Sequence, residues 1–236
     1  MLNPRLKNLF RVVPLAFILL GASQALGAPV FSQSPPATTG GYKSDFAFNF
    51  VNQQAQRFSL ASDTSIQAVV AWGAYGSGLP TDNFTIRIFA DDGGGSPEVL
   101  PLIELSGVAA VRVDTGGLEL GTNPIYQYTF NLAAPIALLG STDYYLSVVN
   151  STNVAESWSW VEGATTNDLR WSRDADGNAW FAPQPDNLAF ELHDAPIVIP
   201  PTTTPAQPVP VMPVGLFLGL ILGFIAIARV FASRGQ

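Results

Sequence analysis

The sequence predicts an all-β fold: a two-sheet, jelly-roll-like β-sandwich, preceded by an N-terminal signal peptide and followed by one C-terminal transmembrane helix. Three observations support this prediction. Apolar and polar residues alternate with a period of two in several segments, which is typical of strands with one face in a core. Clusters of Gly, Asp and Ser separate these segments, and no window between residues 46 and 195 keeps a helical period.

The composition agrees with many short strands and turns. The 236 residues include 21 Gly and 19 Pro, and only 12% are charged. Residues 29–195 hold all 18 acidic side chains but only six basic ones. A field of that sign repels nucleic acid and anionic lipid, so we expect no nucleic-acid partner. The chain has no Cys, so disulfides do not stabilise the fold.

The N-terminus has the pattern of a secretory signal peptide over residues 1–27. Residues 1–11 contain Arg5, Lys7 and Arg11 without an acid, residues 12–20 are apolar apart from Pro14, and residues 21–28 are mostly small. This order of basic, apolar and small residues is that of a cleavable signal. A permanent N-terminal anchor is the alternative, but the apolar run is short for a membrane span.

The predicted sandwich occupies residues 28–195, and each predicted strand places apolar side chains on one face. In residues 66–72 that face holds Ile66, Ala68, Val70 and Trp72. Four later segments repeat the pattern: Phe84, Ile86 and Ile88; Tyr126, Tyr128, Phe130 and Leu132; Tyr144, Leu146 and Val148; Leu188, Phe190 and Leu192. We expect all five sets to face the core.

Two further segments follow the predicted sandwich. Residues 196–208 are rich in Pro and Thr, which favours an extended polyproline stalk rather than a strand. Residues 209–228 contain no charge. As a helix at about 1.5 Å per residue they would span about 30 Å, the hydrocarbon thickness of a bilayer. We therefore expect residues 209–236 to hold the chain in a membrane.

This tail resembles the C-terminal sorting signals of Gram-negative bacteria called PEP-CTERM and IPTL-CTERM, although it has neither Pro-Glu-Pro nor Ile-Pro-Thr-Leu. The short Pro-containing motif would be Val209, Pro210, Val211, Met212 and Pro213, and the basic stop would be Arg229 and Arg234. The resemblance implies a sorting protease of the exosortase type as a partner. It also implies a location in the cell envelope, or at the cell surface and beyond after processing.

The body of the chain is similar to exported domains that often carry such tails. The segments that carry this similarity are residues 71–75, 82–93, 144–150 and 187–192. The resemblance implies a surface or extracellular β-sandwich, and it implies no catalytic mechanism.

Two tryptophans are candidates for sugar stacking. Trp158 and Trp160 are two positions apart, so a strand places both indoles on one face. Aromatic platforms on β-sandwiches bind sugar rings, so we consider a carbohydrate-binding module that recognises exopolysaccharide. The alternative is that both rings fill the core, which the small partner face around Ser159 favours.

One short acidic segment resembles a calcium loop. Asp174, Asp176 and Asn178 offer oxygen ligands at alternate positions, and Gly177 suits a tight bend. Calcium is thus the one cofactor that the sequence suggests, and in the carbohydrate-binding alternative it would assist polysaccharide binding. The alternative is a hairpin turn at Asp176 and Gly177 that needs no ion.

No residue set predicts an enzyme. The single His, His193, is followed by Asp194, and sequence neighbours do not provide the geometry of a Ser-His-Asp site. No two of the glutamates are placed by sequence as a hydrolytic pair. The sequence therefore predicts a non-enzymatic surface or matrix protein, with the carbohydrate-binding module as the alternative.

Overall fold

A computed structural model describes residues 27–46, 52–76, 78, 81–151, 157–164 and 169–199. These residues form thirteen strands and no helix. The described part of the chain therefore contains no helix that could cross a membrane. The predicted signal peptide up to residue 26 and the tail at residues 200–236 lie outside the described residues. The strands are β1 (Phe31–Gln33), β2 (Thr38–Thr39), β3 (Gly41–Lys43), β4 (Gln53–Ser59), β5 (Thr64–Tyr75), β6 (Phe84–Ala90), β7 (Ile103–Val108), β8 (Val111–Glu119), β9 (Asn123–Leu138), β10 (Asp143–Asn150), β11 (Trp158–Val161), β12 (Arg170–Arg173) and β13 (Phe190–His193).

The strands form two sheets, which confirms the predicted all-β class. The larger sheet has the order β1-β13-β5-β9-β8-β2, with β11 pairing both β5 and β3. The smaller sheet has the order β12-β4-β10-β6-β7. All named pairs are antiparallel except β2 with β8.

The main core lies between the two sheets. Phe58 on β4 meets Phe190 on β13 edge-on, with ring centroids 5.9 Å apart. Phe84 on β6 meets Phe130 on β9 in the same way at 5.1 Å. Four of the five predicted apolar faces line this core, and those predictions are confirmed. They are the faces that begin at Phe84, Tyr126, Tyr144 and Leu188.

The predicted core face of β5 is wrong after Ile66. Ile66 faces the main core as expected, but the register with β9 shifts between Ile66 and Ala68. Between these two positions β5 advances two residues and β9 advances five, and this irregularity moves the later side chains of β5 to the opposite face. Val69 and Ala71 therefore face the main core, whereas Val70 and Trp72 lie in a separate cluster on the outer face of the larger sheet.

Both sheets are covered on their outer faces as well. The outer cluster of the larger sheet contains Val70, Trp72, Ala74, Ile125, Val161 and Ala189, with Ile197 packed against it. The outer cluster of the smaller sheet contains Ala55, Phe89, Tyr145 and Trp171, with Trp180 packed against it. Because the central strands β5 and β10 are buried on both faces, they read as long apolar runs.

The ordered contacts of the domain reach slightly past the predicted boundary at Ala195. The amide N of Ile197 donates to Asn131 Oδ1 at 2.8 Å, and its carbonyl accepts from Asn131 Nδ2 at 2.9 Å. The described residues up to Val198 accordingly belong to one compact unit.

Candidate functional site

The two candidate stacking tryptophans lie in the main core. Trp158 and Trp160 are both 0% exposed. The Trp160 Nε1 donates to the Ala189 carbonyl at 2.7 Å, and Trp158 packs edge-on against Phe84 at 5.2 Å. A ring without an exposed face cannot stack on a sugar. Both rings therefore fill the core, as in the alternative interpretation, and we assign them no role in binding.

The candidate calcium residues lie in the turn that follows β12. Each oxygen of the Asp176 carboxylate accepts from an arginine: Oδ2 from Arg87 Nη2 at 2.9 Å, and Oδ1 from Arg173 Nη2 at 3.0 Å. Asn178 uses its main chain, donating from N to the Ala175 carbonyl at 3.2 Å. Within the described ranges, no three His, Cys, Asp or Glu side chains are grouped closely enough to hold a metal.

This turn has the geometry of the hairpin alternative. Gly177 has a φ of +77°, a value that favours Gly over residues with a Cβ. The chain then returns beside β12, where the Phe181 amide donates to the Ser172 carbonyl at 2.8 Å. The two arginines fix the turn to the smaller sheet, because they reach it from β6 and β12.

His193 belongs to a polar group on the outer side of β13. Its Nε2 lies 3.2 Å from Glu191 Oε2, and Glu191 Oε1 accepts from the hydroxyls of Ser32 and Ser34 at 3.0 and 3.1 Å. A Ser-His-acid site needs the His between the Ser and the acid. Here Glu191 lies between them, so His193 is not placed as the base for either serine.

One pocket brings together residues that the sequence analysis missed. It has a volume of about 470 Å³ and is lined by Tyr75, Gly76, Gly78, Thr122, Asn123, Pro124 and Tyr126. Tyr126 is half-buried, and the Arg112 guanidinium lies 5.5 Å from the centroid of its ring. The pocket therefore combines an aromatic ring with amide and hydroxyl groups, which are the groups that recognise sugar hydroxyls.

A buried polar network supports the wall of this pocket. The Tyr75 hydroxyl donates to Asp82 Oδ1 at 2.7 Å and accepts from Asn150 Nδ2 at 3.0 Å. Arg112 Nη1 holds the other oxygen of Asp82 at 3.1 Å. Burial, followed by the hydrogen bond to Asp82, raises the pKa of Tyr75 well above its usual range. Tyr75 therefore stays a neutral donor, and its ring is fixed in one orientation.

The register of the larger sheet explains why this pocket is not visible in the sequence. Tyr126 on β9 is opposite Gly73 on β5, so Tyr75 lies one pleat further along the neighbouring strand. Thr122 in the β8–β9 turn and Asn123 at the start of β9 complete the wall. The repeated apolar pattern could identify both strands but could not align them.

Comparison with known proteins identified no match: no family model, no curated protein and no solved structure is significantly similar to the chain.

Proposed function

We propose that this protein is an exported, non-enzymatic β-sandwich with a structural or adhesive role at the cell surface or in the extracellular matrix. The observation that supports this proposal is that the arginines of the domain form ion pairs within it. Each of the five arginines in the described ranges is paired with an acid: Arg57 with Asp143, Arg87 with Glu104 and Asp176, Arg112 with Asp82, Arg170 with Asp186, and Arg173 with Asp176.

These ion pairs support a structural role for the domain. Arg87, Arg170 and Arg173 are almost fully buried, and their guanidinium groups connect turns to the smaller sheet. Groups held in this way are not poised to exchange protons with a substrate. The paired arginines thus stabilise the sandwich. We include jelly-roll-like connections in the proposal because the chain passes between the two sheets at β4–β5, β5–β6 and β7–β8.

The two ends of the sequence supply the location in this proposal. Residues 1–27 direct export, and residues 209–236 hold the domain at the membrane until a sorting protease releases it. The Pro-containing motif at Val209–Pro213 and the basic residues Arg229 and Arg234 support this sorting role.

Two measurements test the proposal. A reporter that is active only outside the cytoplasm, fused after Ala195, should be active, and activity of a cytoplasmic reporter at the same site would overturn export. The intact mass of the mature surface protein should lack the residues beyond about 209–214. A mature form that still ends at Gln236 would leave a permanent anchor in place of a sorting signal.

A carbohydrate-binding module is the second candidate, and the pocket at Tyr126 favours it. Its half-buried ring and the neighbouring Asn123 and Thr122 side chains suit a neutral sugar. Affinity electrophoresis in gels that contain the exopolysaccharide of the source cells tests this function. Retardation that Tyr126→Ala removes and Phe181→Ala keeps would support it, since Phe181 is an exposed ring (49%) elsewhere on the surface. Equal migration with and without polysaccharide would exclude it.

A further inference from the structure

The edge strands β1, β3, β7 and β12 are protected against pairing with another chain. β1 and β3 are only three residues long. β12 is covered by the returning chain, through the Phe181 amide and the Gln184–Arg170 bridge. β7 has a register shift against β6 within its paired stretch, and a bulge is a common protection for an edge strand.

The outer side of β8 is different. β8 runs from Val111 to Glu119, but β2 covers only Leu118 and Glu119. In the described part of the chain, no strand pairs with the outer side of Val111–Thr115. We call these five residues the open edge. Its backbone donors and acceptors on that side form a template for another strand.

The open edge also exposes two valines. Val111 is 46% exposed and Val113 is 45% exposed, on the outer face of the larger sheet. The two charges of the open edge already have local partners. Arg112 binds Asp82 at 3.1 Å, and Asp114 Oδ1 accepts from the Gly116 amide at 2.8 Å. Neither Lys nor Pro protects this edge.

We propose that two copies of this chain pair through the open edge, antiparallel, about a two-fold axis at Val113. In this register Val113 meets Val113 of the second copy, and Arg112 lies opposite Asp114 of the second copy, twice by symmetry. Val111 then lies opposite Thr115 of the second copy. Apolar side chains meet on one face, and on the other face no like charges lie opposite each other, so the segment is compatible with itself.

The open edge does not overlap the part of β8 that pairs with β2. The open edge ends at Thr115, three residues before Leu118, where the amide donates to the Ala37 carbonyl at 3.2 Å. The strand β2 can therefore stay in place. The two larger sheets would become one continuous sheet across the pair, which removes the exposed edge from both copies.

The absence of Cys allows a sharp test on the full chain. A single introduced thiol can form a disulfide only with the same thiol of a second copy. With Val113 on the axis, the two Cα atoms are about 4.5–5.5 Å apart, which is within disulfide range. Mild oxidation of Val113→Cys should therefore give a disulfide-linked dimer on a non-reducing gel, at several times the level of a control. The control is Leu139→Cys, which is more exposed (61%) and lies on a turn.

Val111→Cys tests the register. In the proposed pairing the two copies of residue 111 are offset by four residues, about 14 Å along the strands, so no disulfide can form. Dimer yields that are equal for Val111→Cys and Val113→Cys would overturn the proposal, and so would a Val113→Cys yield no higher than that of Leu139→Cys.

A second pair of variants keeps the test valid if the thiol itself disturbs the strand. Val113→Lys and Val113→Glu, carried on differently tagged full chains, should each pair poorly with themselves and recover when mixed. Tag pull-down should then recover several times more of the Lys–Glu mixture than of the Lys–Lys mixture. Equal recovery of both mixtures would overturn pairing at Val113.

Discussion

The indole ring of Trp158 occupies the space directly in front of Gly73. A Cβ on residue 73 would lie only 2.2 Å from the ring atoms Cε2 and Nε1. The ring cannot easily move, because Phe84 and Tyr128 pack edge-on against it at 5.2 and 5.9 Å. Gly73 is thus required by the close approach of β11 to β5 rather than by a left-handed φ.

Gly73→Ala is therefore expected to destabilise the domain. Forcing a methyl group into a packed core costs about 1–3 kcal/mol, and more where the neighbour is a fixed ring. Thermal unfolding followed by tryptophan fluorescence measures the change. Gly76→Ala is the matched control, since nothing lies within 4 Å of a Cβ at that position. Equal melting temperatures for the two variants would contradict the packing described.

Val70→Asp tests the corrected face of β5. Val70 lies in the outer cluster, yet it is only 2% exposed, so an Asp there would be buried without a partner. The expected loss is several kcal/mol in the free energy of unfolding, measured by urea titration. Val30→Asp, at a valine that is 37% exposed, should change it by about 0.5 kcal/mol or less. An unchanged midpoint for Val70→Asp would mean that the outer cluster is open to water.

Glu104 gives a pH-dependent contribution with a definite sign. The hydrogen bond from Arg87 holds the pKa of Glu104 below its ordinary value of 4.5. Its contribution to stability is therefore present above pH 4.5 and is lost as the pH falls through the lowered pKa. Because the Glu104 side chain is 45% exposed, the effect should be below about 1 kcal/mol.

Glu104→Gln checks this sign. At pH 7 the variant should be slightly less stable than the parent, and the difference should shrink as the pH falls below 4.5. Urea unfolding at pH 7, 5 and 3 measures both trends. A difference that grows toward acid pH would contradict the role assigned to the Arg87–Glu104 pair.

Removal of divalent cations tests the turn after β12. Asp176 holds Arg87 and Arg173, so the turn is stabilised by groups of the protein itself. We expect a chelator to leave the melting temperature unchanged, and Asp176→Asn to lower it by a few degrees because both ion pairs are weakened. A large drop with chelator, reversed by added Ca²⁺, would instead favour a calcium site at Asp174, Asp176 and Asn178.

The sequence predicted the strands well wherever the period of two was unbroken. Tyr144, Leu146 and Val148 face the core because a regular strand alternates its side chains without exception. In β5 the irregular pairing with β9 near Gln67 reversed the faces, and no residue type marks that position. Trp72 was therefore assigned to the wrong side, although its burial was expected.

The candidate site was less predictable for a related reason. Contacts such as Tyr75 with Asp82, or Arg112 with Tyr126, depend on how strands align and how loops fold over their ends. Sequence patterns identify which residues share a face but not which residues become neighbours across strands. The position of Trp158 and Trp160 likewise depends on residues of the opposite sheet, which the pattern within one strand does not identify.

The pairing of β1 with β13 joins the two ends of the domain. Ser32 Oγ donates to Glu191 Oε1, 159 positions later, and β13 also lies directly beside β5. Contacts over such separations form slowly, because closing the loop costs entropy before the contact contributes any stability. A chain that emerges residue by residue cannot complete its larger sheet until Phe190–His193 have appeared. Synthesis of the whole domain would therefore precede the final folding step.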